Sequence, residues 1–187
     1  AITRVMKRGQ LSGYQGNYSE QFHGGEEVKL LESEWSKYFG VKHSIFCNSA
    51  TSAIWASLNA IGLKAGDEIL VTPFSMTCSA SIPLLFGAKP VFVDIESDFF
   101  CMNPDDIEHK ITDKTKAIIA VSIFGLPCDF DRINAIAKKH NLIVIEDAAQ
   151  SIGAKYKGKY SGALSDIGVF SLNRHKHINC GEGSVIT

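Results

Sequence analysis

Between Glu26 and Phe39 the apolar residues Val28, Leu31, Trp35, Tyr38 and Phe39 recur at close to helical spacing among charged neighbours. That rhythm predicts an amphipathic helix, and Gly40 directly after it is a C-terminal stop. Beyond Gly40 the pattern changes. Short runs rich in β-branched residues stand at Ser44 to Cys47, Glu68 to Thr72, Pro90 to Ile95, Lys116 to Ser122 and Leu142 to Glu146, with helical stretches between them. Strand, helix and strand at this spacing predict βαβ units, hence an α/β fold around a mostly parallel sheet. Asn103 followed by Pro104 reads as a cap and first turn of one connecting helix, and Asp129 opens another that runs to His140. A last pair of strand-like runs, Ile167 to Leu172 and Ser184 to Thr187, brackets a polar loop. Residues 1–24 show no clean period and are expected to form an extended arm, leaving residues 25–187 as one domain. The chain closes inside the strand-like GSVIT without a stop signal, so the expectation is a piece of a longer protein.

Charge narrows the partners. Nineteen basic and twenty acidic residues leave a formal net charge of -1, which supplies no broad field toward nucleic acid or an acidic membrane surface. A small molecule or a second copy of the chain is the expected partner. No apolar run approaches the roughly 18 to 20 residues that span a bilayer, and the opening AITRVMKRG lacks a signal-peptide core, so a cytoplasmic location is expected. Five cysteines without CxxC spacing indicate neither a disulfide framework nor a metal site, and most are expected to be buried thiols.

In open parallel sheets ligands collect at the carboxyl ends of the strands, so the residues that follow each strand are the candidates for chemistry. After Ser44 to Cys47 comes Asn48-Ser49-Ala50-Thr51-Ser52 and then a helix through Ala60. Small residues there leave backbone N–H groups free for an anion, although a plain cap at Asn48 or Ser49 is the default reading of a helix start and the favoured one from this stretch alone. After Leu142 to Glu146 comes Asp147, a carboxylate at a buried strand end that needs a cation or several donors, or that simply caps the next turn. After the next strand come Ser171 and, in a loop closed by Gly181-Glu182-Gly183, Lys176 between two histidines. A lone loop lysine is ordinarily solvated. Yet an anion cradle, a carboxylate, a hydroxyl and an amine near one sheet edge suit a single ligand: pyridoxal 5'-phosphate, with its phosphate, ring nitrogen and lysine-reactive aldehyde.

The blocks NSATSAIWASLNAIGLKAGDEILVTPFS, GAKPVFVDI, TKAIIAVSIFGLPCDFDRINAIAKKHNLIVIEDAAQSIGAKYKGKYSGALSDIGVFSLN and KHINCGEGSVIT, in this order and spacing, resemble the pyridoxal-phosphate-dependent sugar aminotransferases of the DegT/DnrJ/EryC1/StrS family. The likeness covers nearly all of residues 40–187. It implies a three-layer αβα large domain of the aspartate aminotransferase type (fold type I), with the C-terminal small domain absent from this chain. It also implies that Lys176 holds the cofactor as a Schiff base and shuttles the proton, that Asp147 keeps the ring nitrogen protonated, and that Gln150 approaches the ring hydroxyl. Ala149 would lie against one ring face, and Ala50, Thr51 and Ser171 would hold the phosphate. The implied reaction moves an amino group, from glutamate, to a nucleotide-linked keto-sugar for cell-surface polysaccharide or lipopolysaccharide assembly, in a homodimer.

Two positions depart from the family pattern. Met76 stands where an aromatic side chain usually stacks on the open ring face, and a thioether packs there less rigidly. Ser184 replaces the second glycine after the GEG run. His175 and His177 are read as surface histidines, with tuning of the lysine or contact to substrate as the alternative. Two other functions stay open: the family's dehydratase branch, which has histidine in the lysine position, and a non-catalytic cofactor-binding relative. Residues near Gly13-Tyr14-Gln15-Gly16 are expected beside the sugar.

Overall fold

The computed structural model describes residues 2–11, 13–14, 16–18 and 22–187. In chain order the elements are α1 (Ile2–Arg8), α2 (Glu26–Phe39), β1 (Ile45–Cys47), α3 (Ala50–Ala60), β2 (Glu68–Val71), α4 (Cys78–Leu85), β3 (Lys89–Phe92) and α5 (Pro104–Lys110). They continue with β4 (Thr115–Val121), a 3-10 turn (Ile123–Gly125), α6 (Phe130–His140), β5 (Ile143–Asp147), β6 (Lys155–Tyr156), β7 (Lys159–Tyr160), β8 (Ile167–Ser171) and β9 (Ser184–Ile186).

Seven strands form one sheet in the order β1-β9-β8-β5-β4-β2-β3. The pairs β2/β3, β2/β4, β4/β5 and β5/β8 are parallel, while β9 runs antiparallel to both of its neighbours, β8 and β1. β1 therefore points the same way as β8 and β5, and the carboxyl ends of all three open onto one edge. The central strand β4 reads TKAIIAV with only one exposed residue, as expected of a parallel strand covered on both faces. Its alternation feeds two cores. Ile118 and Ala120 pack with Ile107 of α5 and Phe130 and Ile133 of α6, whereas Ala117 and Ile119 pack with Ile54 and Leu58 of α3 and Ile82 of α4. Helices thus cover both faces, which is the three-layer αβα arrangement. A third cluster, Trp35 and Phe39 of α2 with Phe170 and Val185, closes the β8–β9 side of the sheet.

The local signals hold at several ends. Gly40 takes the left-handed conformation (φ 70°, ψ 33°) that ends α2. Asn103 accepts from Asp105 N–H ahead of Pro104, and Asp129 accepts from Arg132 N–H at the start of α6. The arm is not wholly extended. Ile2–Arg8 is helical, with no buried residue to give its sequence a hydrophobic period. Its Arg4 side chain meets both carboxylate oxygens of Glu27 at 2.7 Å, and Arg8 reaches Glu26 at 2.6 Å, so charge pairs rather than apolar burial dock it on the first turn of α2. Gln15 lies outside the described residues. Of the five cysteines only Cys101 and Cys128 are buried; Cys47 and Cys78 are half-buried, and Cys180, on a loop, is exposed.

Candidate active site

At the shared edge lies an open cleft of about 550 Å³, and Ala50, Thr51, Met76, Asp147, Ala149, Gln150, Ser171 and Lys176 all line it. Strands β1, β5 and β8 run in one sense, so the segments that leave their carboxyl ends must meet there. The first of them starts α3. Ser49 (φ -161°, ψ 156°) is the cap: its hydroxyl accepts from Ser52 N–H at 3.2 Å and its carbonyl from Ala53 N–H at 2.9 Å. The N–H groups of Ala50 and Thr51 have no acceptor among the described residues. The cap and the anion cradle are therefore not rivals: Ser49 uses one pair of donors and leaves another, at the positive end of an eleven-residue helix.

The second segment leaves β5. Ile145 belongs to the core beneath α3, so Asp147, two residues on, shares that face. Its side chain is almost wholly buried, and its only hydrogen bond among the described residues is from Ala149 N–H to Oδ1, at 3.0 Å. Burial pushes the Asp147 carboxyl above the ordinary range, against the opposing pull of the Ala149 N–H and the Lys176 charge. Gln150 follows. Its Oε1 accepts from Phe124 N–H at 3.0 Å, which commits the oxygen and leaves the NH2 end as the free donor. Phe124 is held in the left-handed region (φ 53°) with its ring exposed at the cleft wall.

The third segment leaves β8. Ser171 is buried, and its hydroxyl accepts from Asn173 N–H at 3.4 Å. Lys176 sits in the loop that follows, half-buried, close enough for its charge to act on Asp147. His175 and His177 are exposed, as read from the sequence, yet both also line the cleft. The sequence reading did not single out Asn173, Cys78 or Phe124 as lining residues, and took Glu182 only as part of a turn. Cys78 lies only two residues beyond Met76, but a single cysteine carries no pattern of its own; its thiol is pushed up by burial and then by the Asp147 charge.

These residues fit pyridoxal phosphate. A buried carboxylate with one hydrogen bond and a nearby amine lacks the N–H donor that a protonated ring nitrogen supplies, and the free N–H pair of α3 lacks an anion. Gly13 and Tyr14 do not line this cleft. They border a separate depression of about 360 Å³ between the arm and α2. Among the described residues no group of three or more His, Cys, Asp or Glu side chains could hold a metal ion, and no helix is long and apolar enough to cross a membrane.

The sequence model of the DegT/DnrJ/EryC1/StrS aminotransferase family matches residues 15–187. Among curated proteins, GDP-perosamine synthase of Caulobacter vibrioides is 42% identical over 87% of this chain and 44% of its own length. UDP-2-acetamido-2-deoxy-3-oxo-D-glucuronate aminotransferase of Pseudomonas aeruginosa is 41% identical over 99% of this chain and 49% of its own. Among solved structures, an aminotransferase from Psychrobacter cryohalolentis superposes with a TM-score of 0.90 at 37% identity, covering 100% of this chain and 45% of that one. The chain thus spans about half the length of the proteins it matches.

Proposed function

The chain belongs to the DegT/DnrJ/EryC1/StrS aminotransferase family, and from that premise we propose that the protein is a pyridoxal-phosphate-dependent aminotransferase. It moves an amino group, from glutamate, to a nucleotide-linked keto-sugar used in cell-surface polysaccharide or lipopolysaccharide assembly. The observation that carries the reading is the nearly buried, singly hydrogen-bonded Asp147 carboxylate in one cleft with Lys176 and the free N–H pair of α3. The names of the two curated relatives, a GDP-sugar synthase and a UDP-3-oxo-sugar aminotransferase, support the substrate class. Glutamate as donor, a cytoplasmic location and a site completed by a second copy of the chain rest on the resemblance, and the activity proposed is that of the whole protein.

When bound, the cofactor supplies an electron sink that stabilises negative charge on the substrate carbon. The chain supplies the rest. Lys176 Nζ would be the amine that holds the cofactor and the base that takes and returns the proton. Asp147 keeps a donor protonated at the ring nitrogen: a cationic N–H against its carboxylate offsets the desolvation that now raises its pKa. The NH2 of Gln150 donates to the ring oxygen, its own oxygen being engaged by Phe124. The Ala50 and Thr51 N–H groups and the Ser171 hydroxyl would hold the phosphate, and Ala149 and Met76 would pack on the ring. The test is borohydride reduction of the protein with pyridoxal phosphate, peptide mapping, and turnover by Lys176→Ala. A link at Lys176, bleaching of the visible band by glutamate and loss of turnover in the variant are expected. Turnover that survives in Lys176→Ala would point instead to dehydration driven by a histidine, for which His177 in the same cleft is the candidate.

A further inference from the structure

The loop that carries Lys176 leaves the sheet after β8 and rejoins it at β9, and main-chain bonds close its neck. Leu172 N–H donates to Gly183 O at 2.8 Å, and Cys180 N–H donates to Leu172 O at 3.0 Å. The limbs lie in van der Waals contact: a Cβ on Gly183 would meet the Leu172 side chain of the outgoing limb at 3.5 Å and would have to displace Cys180 Sγ on its own limb. One side-chain pair bridges them. Asn173 Nδ2 donates to both carboxylate oxygens of Glu182, each at 2.8 Å. Asn173 also donates its own N–H to Ser171 Oγ and accepts Lys176 N–H at its main-chain oxygen, at 2.8 Å. From Arg174 to Asn179 that last bond is the only hydrogen bond among the described residues. The lysine turn is therefore fixed through Asn173, and Asn173 is fixed to the returning limb through Glu182. Both residues line the cleft beside Lys176.

We infer that Asn173 and Glu182 are positioning residues, a clasp that sets the loop backbone from which Lys176 reaches the cofactor. This rests on the reading of Lys176 as the linking amine. Asn173 meets the phosphate-side Ser171 only through its main-chain N–H, which side-chain substitutions keep, whereas its side-chain bridge to Glu182 bears on the lysine turn. The bridge therefore favours pyridoxal phosphate, which needs the lysine link, over pyridoxamine phosphate, which cannot form one. The ratio of the two affinities isolates it from a general loosening of the fold.

The experiment compares wild type with Asn173→Asp, which sets carboxylate against carboxylate, and with Asn173→Asp/Glu182→Gln, which restores a donor and an acceptor in the opposite sense. Asn173→Ala serves if the Asp variant does not fold. Affinity for each cofactor form is measured by titration, and the pyridoxal link is mapped after borohydride reduction. Asn173→Asp is expected to lower the pyridoxal to pyridoxamine affinity ratio about tenfold, the worth of one hydrogen bond to a charged group, and the double variant to recover most of it. An unchanged ratio, including one in which both affinities fall together, overturns the clasp. A wild-type link mapped away from Lys176 overturns the reading of the site itself, and with it the clasp, and is recognised by appearing before any substitution is made.

Discussion

Asp147→Asn separates a carboxylate kept for a cofactor from one kept to cap a turn. The substitution conserves shape, and Asn Oδ1 can still accept from Ala149 N–H at the 3.0 Å now seen, so the corner after β5 should survive. What disappears is a negative charge that is almost wholly buried with a single hydrogen bond. A hydrogen bond to a charged group contributes about 1.5–3 kcal/mol, so cofactor affinity should fall by about one to two orders of magnitude. The cofactor-free protein should respond in the opposite direction. Because the folded carboxyl titrates above its unfolded value, the unfolded chain ionises first as pH rises. Stability is lost from near the ordinary carboxylate range up to the folded value and is flat above it. Asp147→Asn removes that loss, so the variant should be at least as stable as wild type at pH 7, with the difference vanishing in acid. Thermal melts from pH 3.5 to pH 7.5, with and without pyridoxal phosphate, provide both readouts. A variant that is destabilised at pH 7 without cofactor, or that binds cofactor as wild type does, refutes the cofactor role and leaves Asp147 as a turn cap.

Two further substitutions test the surroundings. Ser49→Ala removes the hydroxyl that accepts Ser52 N–H and should cost about 1 kcal/mol in chemical denaturation, together with a weaker hold on phosphate-bearing ligands at the same helix end. Glu146→Ala strands donors in a fully buried site and should cost about 2–4 kcal/mol, read as a lowered urea midpoint at unchanged slope.

Much of this fold is legible because burial writes itself into sequence period. The Glu26–Phe39 helix follows from the spacing of Trp35 and Phe39, which pack on Phe170, and from the glycine that ends it. The parallel strands follow from runs such as TKAIIAV, in which nearly every residue is inside. The elements that escaped bury too little or span too few residues. Helix α1 hides no side chain, and its arginines look in sequence like any solvated charges; only folding shows Arg4 against Glu27. The β6–β7 hairpin has two residues per strand, and Lys157 and Gly158 turn it with positive φ, too short a unit for alternation to appear. The cleft shows the same division. Residues in contiguous blocks, such as Asp147 with Gln150, were legible, whereas Asn173 and Glu182 meet only because Leu172 and Gly183 close the neck between them.

The neighbouring carboxylates of β5 show how environment separates scaffold from chemistry where sequence alone does not. Glu146 and Asp147 are adjacent, acidic and buried, and strand alternation sends them to opposite faces of the sheet. Burial raises the pKa of both. Glu146, however, accepts from Ser122 Oγ at 2.9 Å, Ser161 Oγ at 2.5 Å and Leu164 N–H at 3.3 Å, which ties the end of β4 and the turn before β8 to its own strand. Ser161 passes the tie on to Ser151 at 2.5 Å, next to Gln150. Its oxygens are supplied from within the chain, so its work is done once the chain folds. Asp147 has one donor and an open cleft. A buried charge so thinly supported costs the cofactor-free fold stability, and a ligand that brings its own cationic N–H relieves that cost on binding. The difference in donors assigns Glu146 to holding the Phe124 turn and the Gln150 corner in place, and Asp147 to what binds between them.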